Sequence, residues 1–228
     1  MKNNFKISFF YTNKLDGNIA YHVNYDKIAV QKNRLDLMTK YKVDVENLRH
    51  MNQTHGCNII VVDKKSQLCL DDCDALITNE PNIPLMVMVA DCIPILIYDE
   101  KKSVIAAVHA GRNSTFLQIV QKTALKMMRE FGCDVKDIKV DLGPSIQKCC
   151  YEVSFELVKI VKSSFGEKFV NNRLIDLQGI NKKQLLDIGV KEENINISDI
   201  CTKCSNEDYY SYRLDNKCGR FSGIISIT

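Results

Sequence analysis

The sequence predicts a layered α+β fold in one domain that spans residues 1–228. Two observations favour this class: apolar runs of strand length mix irregularly with segments of helical spacing, and no repeat, low-complexity segment or Pro/Ser-rich linker divides the chain. A doubly wound sheet would need strict alternation of strands and helices, which the chain lacks. The hydrophobic fraction of 45% and the charged fraction of 26% are typical of a globular protein with a sizeable core.

Nine apolar or β-branched segments have strand length, and four segments have helical spacing. The predicted strands are residues 6–11, 58–62, 75–78, 85–89, 95–98, 104–108, 138–142, 194–198 and 221–227. The predicted helices are residues 26–41, 116–131, 155–165 and 181–188. We expect Ser114 or Thr115 to cap the second helix, and Gly132, Gly166 and Gly189 to end the last three.

Charge and hydropathy exclude several function classes. The net charge is +3, with 31 basic and 28 acidic side chains intermixed, so bulk charge does not indicate nucleic-acid binding. The N-terminal segment does not resemble a signal peptide, and no stretch reaches the roughly 18 apolar residues needed to span a bilayer. We therefore expect a cytoplasmic protein without membrane contact, whose ten cysteines are reduced thiols.

Three residues in segments that adjoin strand-like runs are candidates for chemistry: His55, Cys92 and His109. The runs 95–98 and 104–108 flank a polar turn and predict a hairpin, which would place His109 opposite Cys92 or Ile93. Directly opposed Cβ atoms lie about 5 Å apart, so Cys92 and His109 are expected to touch or to share a ligand. Local pattern does not place His55.

One thiolate and two imidazoles are ligands of the type that zinc prefers. Three protein ligands leave a fourth position open, and zinc bound there would lower the pKa of a water to about 7. The alternative is that both histidines are core or turn residues and that Cys92 is a buried thiol. The residue types alone leave both interpretations open.

A series of motifs in fixed order resembles one known family. They are NQTHG at 52–56, DALIT at 74–78, ADCIP at 90–94, HAG at 109–111, GPSI at 143–146, YEV at 151–153, CT at 201–202, SYR at 211–213 and GR at 219–220. This series closely resembles the YfiH family, also called the laccase-domain or peptidoglycan-editing-factor family, which includes the FAMIN-type purine nucleoside enzymes. The resemblance covers nearly the whole chain.

The resemblance implies an α/β domain with two β-sheets packed between helical layers, a four-layer α/β/β/α arrangement. It implies zinc on His55, Cys92 and His109, with copper as an adventitious alternative. The implied activity is phosphorolysis of adenosine, inosine or methylthioadenosine, together with hydrolytic deamination of adenosine. Its partners would be purine nucleosides and phosphate. The sequence leaves monomer and homodimer open.

Several other residues are candidates for proton transfer or substrate binding. Asp91 could carry a proton in deamination or could shape its turn, and Asp74 is more often structural at such a position. Arg34, Arg112, Arg213 and Arg220 are candidates for phosphate, Gln53 for a base edge and Tyr151 for stacking, and each has a structural alternative. The family pattern HAGWRG reads HAGRNS here, so Arg112 stands one position before the usual arginine.

Three other functions remain as alternatives: a laccase-type polyphenol oxidase, a thiol hydrolase using Cys92 and His109, and a non-enzymatic role in cell-wall editing. The C-x₂-C pair Cys201 and Cys204 resembles half of a zinc knuckle, but no fourth ligand is evident in the sequence. Cys149 and Cys150 are expected to be buried packing residues.

Overall fold

The computed structural model describes residues 5–23, 26–205 and 209–228. Within these ranges it contains five α-helices and thirteen strands. The helices are α1 (Lys27–Tyr41), α2 (Arg112–Phe116), α3 (Ile119–Phe131), α4 (Phe155–Ser164) and α5 (Leu177–Asp187). The strands are β1 (Ile7–Tyr11), β2 (Arg49–Met51), β3 (Ile59–Val61), β4 (Cys69–Leu70), β5 (Ala75–Thr78), β6 (Leu85–Val89), β7 (Ile93–Asp99), β8 (Val104–Ala110), β9 (Lys139–Leu142), β10 (Val170–Asn171), β11 (Leu174–Ile175), β12 (Ile195–Ile197) and β13 (Phe221–Ile227).

Two large sheets form the centre of the molecule. One has five strands in the order β1-β13-β6-β2-β4, and the other has six in the order β12-β9-β7-β8-β5-β3. Strands β10 and β11 form a separate small ribbon. The predicted β7–β8 hairpin is present and antiparallel, with Pro94 opposite His109.

The side-chain alternation of the central strands explains the four layers. In β7, Ile95 and Ile97 pack beneath helices α3, α4 and α5, whereas Leu96 packs between the sheets. In β6, Val87 faces the other sheet and Met86 faces the layer that contains α1. Because both faces of these strands are buried, they read as continuous apolar runs in the sequence. The predicted α/β/β/α layering is therefore confirmed.

Several predicted boundaries were wrong. The helix expected at 116–131 is two helices, since Gln118 adopts a left-handed φ of 61° between them. Neither Ser114 nor Thr115 is a cap, because both are buried inside α2, whose N-cap is Gly111. Gly132 does end α3, in the left-handed conformation.

The start of another helix was not predicted from the sequence, because several of its buried side chains are polar. The helix expected at 181–188 begins at Leu177 and is capped by Asp176. Gln178, Asn181 and Gln184 are all buried, so its inward face does not look apolar in the sequence. Strand β2 was missed for a similar reason, because Arg49 is buried within it.

Strand directions bring three chain segments to one end of the molecule. β2 and β6 run parallel in one sheet, and each is followed by a loop that crosses to the other sheet. These loops enter β3 and β7, which share a direction because β3 is parallel to β5, and both β5 and β7 are antiparallel to β8. The two crossing loops, residues 52–58 and 90–92, therefore meet the end of β8.

None of the helices in the described ranges has the length and apolar character needed to cross a membrane.

Leu96 tests the packing between the two sheets. It is fully buried in the inter-sheet core, so Leu96→Ala should lower the free energy of unfolding by about 2–5 kcal/mol through lost burial and a residual cavity. Urea denaturation measures this loss. Leu15→Ala is the control, because Leu15 is 80% exposed and its truncation should cost less than about 0.5 kcal/mol. Equal effects of the two substitutions would contradict the layer assignment.

Candidate active site

The ends of these segments carry His55, Cys92 and His109 to one point. His55 lies in the loop after β2, Cys92 in the loop after β6, and His109 near the end of β8. Their potential ligand atoms all lie within 4.8 Å of one another. The Cys92 Sγ and His55 Nε2 atoms are 3.8 Å apart, and the two imidazole rings meet edge to face with centroids 4.7 Å apart.

The hairpin register differs by one position from the sequence prediction. His109 faces Pro94 rather than Cys92 or Ile93, because the ladder continues to Ile93 paired with Ala110. Cys92 lies just before β7. The expected proximity of Cys92 and His109 nevertheless holds, since one residue along a strand is a small displacement compared with the reach of both side chains.

A buried carboxylate, Asp74, connects two of the three residues. Its Oδ1 atom accepts hydrogen bonds from the His55 amide at 3.0 Å and pairs with His109 Nδ1 at 2.7 Å. Its Oδ2 atom accepts from the Gly56 amide at 2.7 Å. Burial raises the pKa of Asp74, but these hydrogen bonds outweigh it and lower the pKa below its usual range. The bond to Nδ1 leaves Nε2 of His109 free for a ligand.

Gly111 allows the close approach of His55 and Cys92. A Cβ atom at this position would lie 2.9 Å from His55 Cδ2 and 3.0 Å from Cys92 Sγ. The backbone at Gly111, with φ of −72° and ψ of 179°, is accessible to any residue. The requirement for glycine is therefore steric and arises from the site itself.

Cys92 and His109 form an electrostatic pair. Desolvation raises the pKa of the Cys92 thiol, but His109 and His55 outweigh it and lower the pKa to about 6. Desolvation lowers the pKa of His109, whereas the Cys92 thiolate and Asp74 raise it to about 9. Both shifts favour a thiolate beside an imidazolium in the metal-free protein.

The three residues lie on the wall of a cavity of about 570 Å³. Its lining combines imidazole, aromatic, cationic and apolar groups: His22, Asn52, Gln53, His55, Met88, Val89, Ala90, Asp91, Cys92, His109, Ile146, Tyr151, Tyr212, Arg213 and Arg220. A neighbouring depression of about 500 Å³ shares Tyr151 and Arg213 with it and adds Arg112. The volume is in the range of small-molecule sites.

Gln53 and Asp91 line the cavity, but their polar atoms bind the protein. The Gln53 amide bonds the backbone of Met88 in both directions, at 2.8 and 2.9 Å. The Asp91 carboxylate accepts hydrogen bonds from the Thr202 hydroxyl and from the Arg213 amide, both at 2.7 Å. Asp91 also has a left-handed φ of 86°. The contacts favour the structural alternative for both residues.

The other residues predicted to bind substrate differ in whether they line the cavity. Tyr151 and Arg213 are on the cavity wall, and the Arg213 guanidinium lies 5.3 Å from the centroid of the Tyr151 ring. Arg112 is in the adjoining depression. Arg34 does not line the cavity, because its guanidinium donates to the Ile19 carbonyl at 2.8 Å and stacks on Tyr21.

Sequence reasoning missed three features of the site. It did not identify His22 or Tyr212 as lining residues. Tyr212 belongs to the SYR motif, which could have suggested it, whereas no local pattern distinguishes His22. Sequence reasoning assigned Asp74 a structural role but not its bond to His109. Asp74 is the first residue of the DALIT motif, and the strand that follows it, β5, pairs directly with β8. The motif could therefore have suggested the contact between Asp74 and His109.

A cysteine–histidine group of metal-ligand type lies where the two sheets meet, beside a cavity of about 570 Å³. The protein is therefore a layered α/β protein with a candidate metal centre. A family model described as "Multi-copper polyphenol oxidoreductase laccase" matches residues 11–228. The chain belongs to this laccase-domain family.

Relatives and solved structures agree with this membership. A purine nucleoside phosphorylase of Clostridium acetobutylicum is 38% identical over 80% of this chain and 78% of its own. The adenosine deaminase RL5, from an unknown prokaryotic organism, is 32% identical over 91% of this chain and 86% of its own. The crystal structure of Bacillus licheniformis hypothetical protein YfiH has a TM-score of 0.92 at 26% identity and covers 97% of this chain and 93% of that one. These similarities confirm the predicted family and fold.

The electrostatic pair predicts the reactivity of Cys92 in metal-free protein. Because the pKa of the thiol is lowered to about 6, alkylation by iodoacetamide should rise through a midpoint near pH 6 and level off above it. Site-resolved mass spectrometry across pH 4.5–9 measures this profile. Cys73 is the internal control, since burial raises the pKa of its thiol to about 12. A Cys92 midpoint near the ordinary value of about 8.5 would contradict the pairing.

Proposed function

We propose that this chain is a zinc-dependent purine nucleoside enzyme, which carries out phosphorolysis of adenosine, inosine or methylthioadenosine and hydrolytic deamination of adenosine. One observation carries the proposal: His55, Cys92 and His109 direct three donor atoms to one point on the wall of a nucleoside-sized cavity. The names of the relatives, purine nucleoside phosphorylase and adenosine deaminase, supply the substrate class.

The three ligands fit a single metal ion, for which we propose zinc, better than a multicopper centre. Imidazole and thiolate are both zinc ligands, and a single copper ion also takes two imidazoles and one thiolate. The hydrogen bond between Asp74 and His109 is the outer-shell contact that orients a metal-binding histidine. A multicopper centre needs roughly a dozen ligands that are mostly imidazole, and the chain has four histidines. Zinc bound by these three residues would act as a Lewis acid beside the substrate.

The protein side chains would bind and orient the nucleoside. Tyr151 and Tyr212 offer aromatic faces for the purine, which is a flat π-system. Arg213 lies between the cavity and the adjoining depression that contains Arg112, so this boundary is where an anionic phosphate would find cationic partners. Phosphate bound there would lie beside a nucleoside in the main cavity.

In this proposal, Asp91 positions the segments that carry Thr202 and Arg213 and does not itself transfer a proton. It is the acidic residue of the cavity lining among the described residues, but two short hydrogen bonds engage its carboxylate. These bonds hold the segments that carry Thr202 and Arg213 against the Cys92 loop. Loss of the carboxylate would therefore displace Arg213 and weaken substrate binding.

A thiol hydrolase is the second candidate. The thiolate–imidazolium pair of Cys92 and His109 has the charge state of a cysteine nucleophile with its base. Such an enzyme would work without metal and would be inactivated by alkylation. A Cys92 sulfur that binds zinc is not free to attack a substrate, so the two candidate functions differ in whether turnover requires metal or a free thiol. One experiment separates them.

That experiment assays adenosine, inosine and methylthioadenosine with and without phosphate, using zinc-loaded, metal-stripped and Cys92→Ser protein. We expect free base only when phosphate is present, inosine from adenosine without phosphate, and a loss of more than about 100-fold on stripping or substitution. Cys69→Ser is the control, since Cys69 is exposed and outside the site. Full turnover by metal-stripped protein that iodoacetamide abolishes would establish the thiol hydrolase instead.

Gly111→Ala should weaken zinc binding without disrupting the fold. The added methyl group would press on both His55 and Cys92, so we expect affinity to fall by roughly 10–100-fold, as when an outer-shell contact is lost. Competition with a fluorescent chelator measures the affinity. Gly56→Ala is a matched control in the same site, because its Cβ atom would meet its neighbours at 3.4 and 3.5 Å. Unchanged affinity in Gly111→Ala would argue against joint ligation by these residues.

A further inference from the structure

A second group of potential metal ligands lies outside the candidate active site. Cys149, Cys150, Cys201 and Cys204 place four sulfur atoms within 4.8 Å of one another. Cys149 and Cys150 belong to the turn before Tyr151, and Cys201 and Cys204 belong to the turn that follows β12. The sequence prediction that Cys149 and Cys150 are buried packing residues was wrong, since Cys149 is exposed and Cys150 is partly exposed.

Backbone pairing holds the two turns together independently of the sulfur atoms. Ser145 and Cys201 form a parallel β-bridge, and the Thr202 amide donates to the Ser145 carbonyl at 3.1 Å. The Gln147 side-chain amide donates to the Ser198 carbonyl at 3.1 Å. The four cysteines are therefore presented by a preformed scaffold.

The sulfur geometry fits a tetrahedral ion. A Zn–S bond of about 2.3 Å implies sulfur–sulfur separations of about 3.8 Å. The Cys149 and Cys204 sulfur atoms are 3.5 Å apart, which is far longer than a disulfide bond of about 2.05 Å. The backbone amide of Gln147 also donates to the Cys201 sulfur at 3.5 Å, a contact that stabilises thiolate character.

Packing does not account for this cluster. Free cysteines that serve as small hydrophobes are usually buried, yet Cys149 and Cys204 are both exposed. We propose that Cys149, Cys150, Cys201 and Cys204 form a second zinc site, closed by four thiolates and structural in role. Cys149 and Cys150 supply the ligands that the Cys201–Cys204 pair lacked in the sequence.

The proposed zinc site would affect the wall of the active-site cavity, because two of its ligands adjoin residues that line that wall or contact it. Tyr151 directly follows Cys150, and Thr202, which donates to Asp91, directly follows Cys201. An ion that joins the two turns would restrain both segments at once, on the side of the cavity that carries Tyr151. The assignment of this site does not rest on the proposed nucleoside activity, because its four ligands are not among the residues of the candidate active site.

Zinc content per chain tests the proposal in protein purified under reducing conditions. We expect about two zinc ions in the wild type and about one in both the Cys149→Ser/Cys204→Ser and Cys92→Ser variants. Cys69→Ser, another exposed cysteine, should retain two. Zinc content in Cys149→Ser/Cys204→Ser equal to that of Cys69→Ser would overturn the proposal. A Cys149–Cys204 disulfide that persists in the reduced preparation would also overturn it.

Cobalt substitution gives a readout that does not depend on the folding of the double variant. In Cys92→Ser protein reconstituted with Co²⁺, the intact four-cysteine site should give the intense visible and near-ultraviolet absorption of a tetrahedral tetrathiolate. Weak absorption typical of oxygen or nitrogen ligands would refute the assignment. If the active-site metal is missing from all proteins while the cobalt tetrathiolate forms, only the proposed nucleoside function fails.

Discussion

The buried carboxylate of Asp74 is the contact on which the candidate active site depends. Asp74 is fully buried, and its Oδ1 atom forms a hydrogen bond with His109 Nδ1. Its carboxylate also accepts hydrogen bonds from the backbone amides of His55 and Gly56. One side chain thus fixes both the orientation of an imidazole on β8 and the path of a loop from the other sheet. Removal of one partner from such a buried ionic group is costly, because the remaining charge stays desolvated.

The topology provides this carboxylate with its partners. Asp74 directly precedes β5, which pairs with β8 and with β3, so the residue lies between the His109 strand and the entrance of the His55 loop. The His109 amide donates to the Asp74 carbonyl at 2.8 Å, which extends the ladder to the site itself. The candidate active site is in this way anchored to the central six-stranded sheet through Asp74 and His109, although His55 and Cys92 lie in loops.

The opposite side of the cavity is assembled differently. There, Asp91 binds Thr202 and the Arg213 amide, and its carbonyl accepts the Ile146 amide. Three loops meet through polar contacts with little regular sheet between them. A thiolate-bound ion between the turns at Cys149 and Cys201 would supply the rigidity that hydrogen bonds alone provide poorly. The molecule would then use one metal for chemistry and another for the shape of the cavity.

The sequence by itself determined nine of the thirteen strands that the structure describes, the β7–β8 hairpin and the proximity of Cys92 to His109, because periodicity and short turns are properties of neighbouring residues. The ordered motifs also identified the family. The family resemblance implied that His55 joins that pair, but only the tertiary structure brought it there by geometry, matched Asp74 with His109, and engaged the polar atoms of Gln53 and Asp91 in contacts within the protein. It also brought Cys149 and Cys150 to Cys201 and Cys204, about fifty residues away in the chain. Such contacts depend on crossovers between sheets and on bridges between distant loops, and local residue patterns carry no information about which distant segments meet.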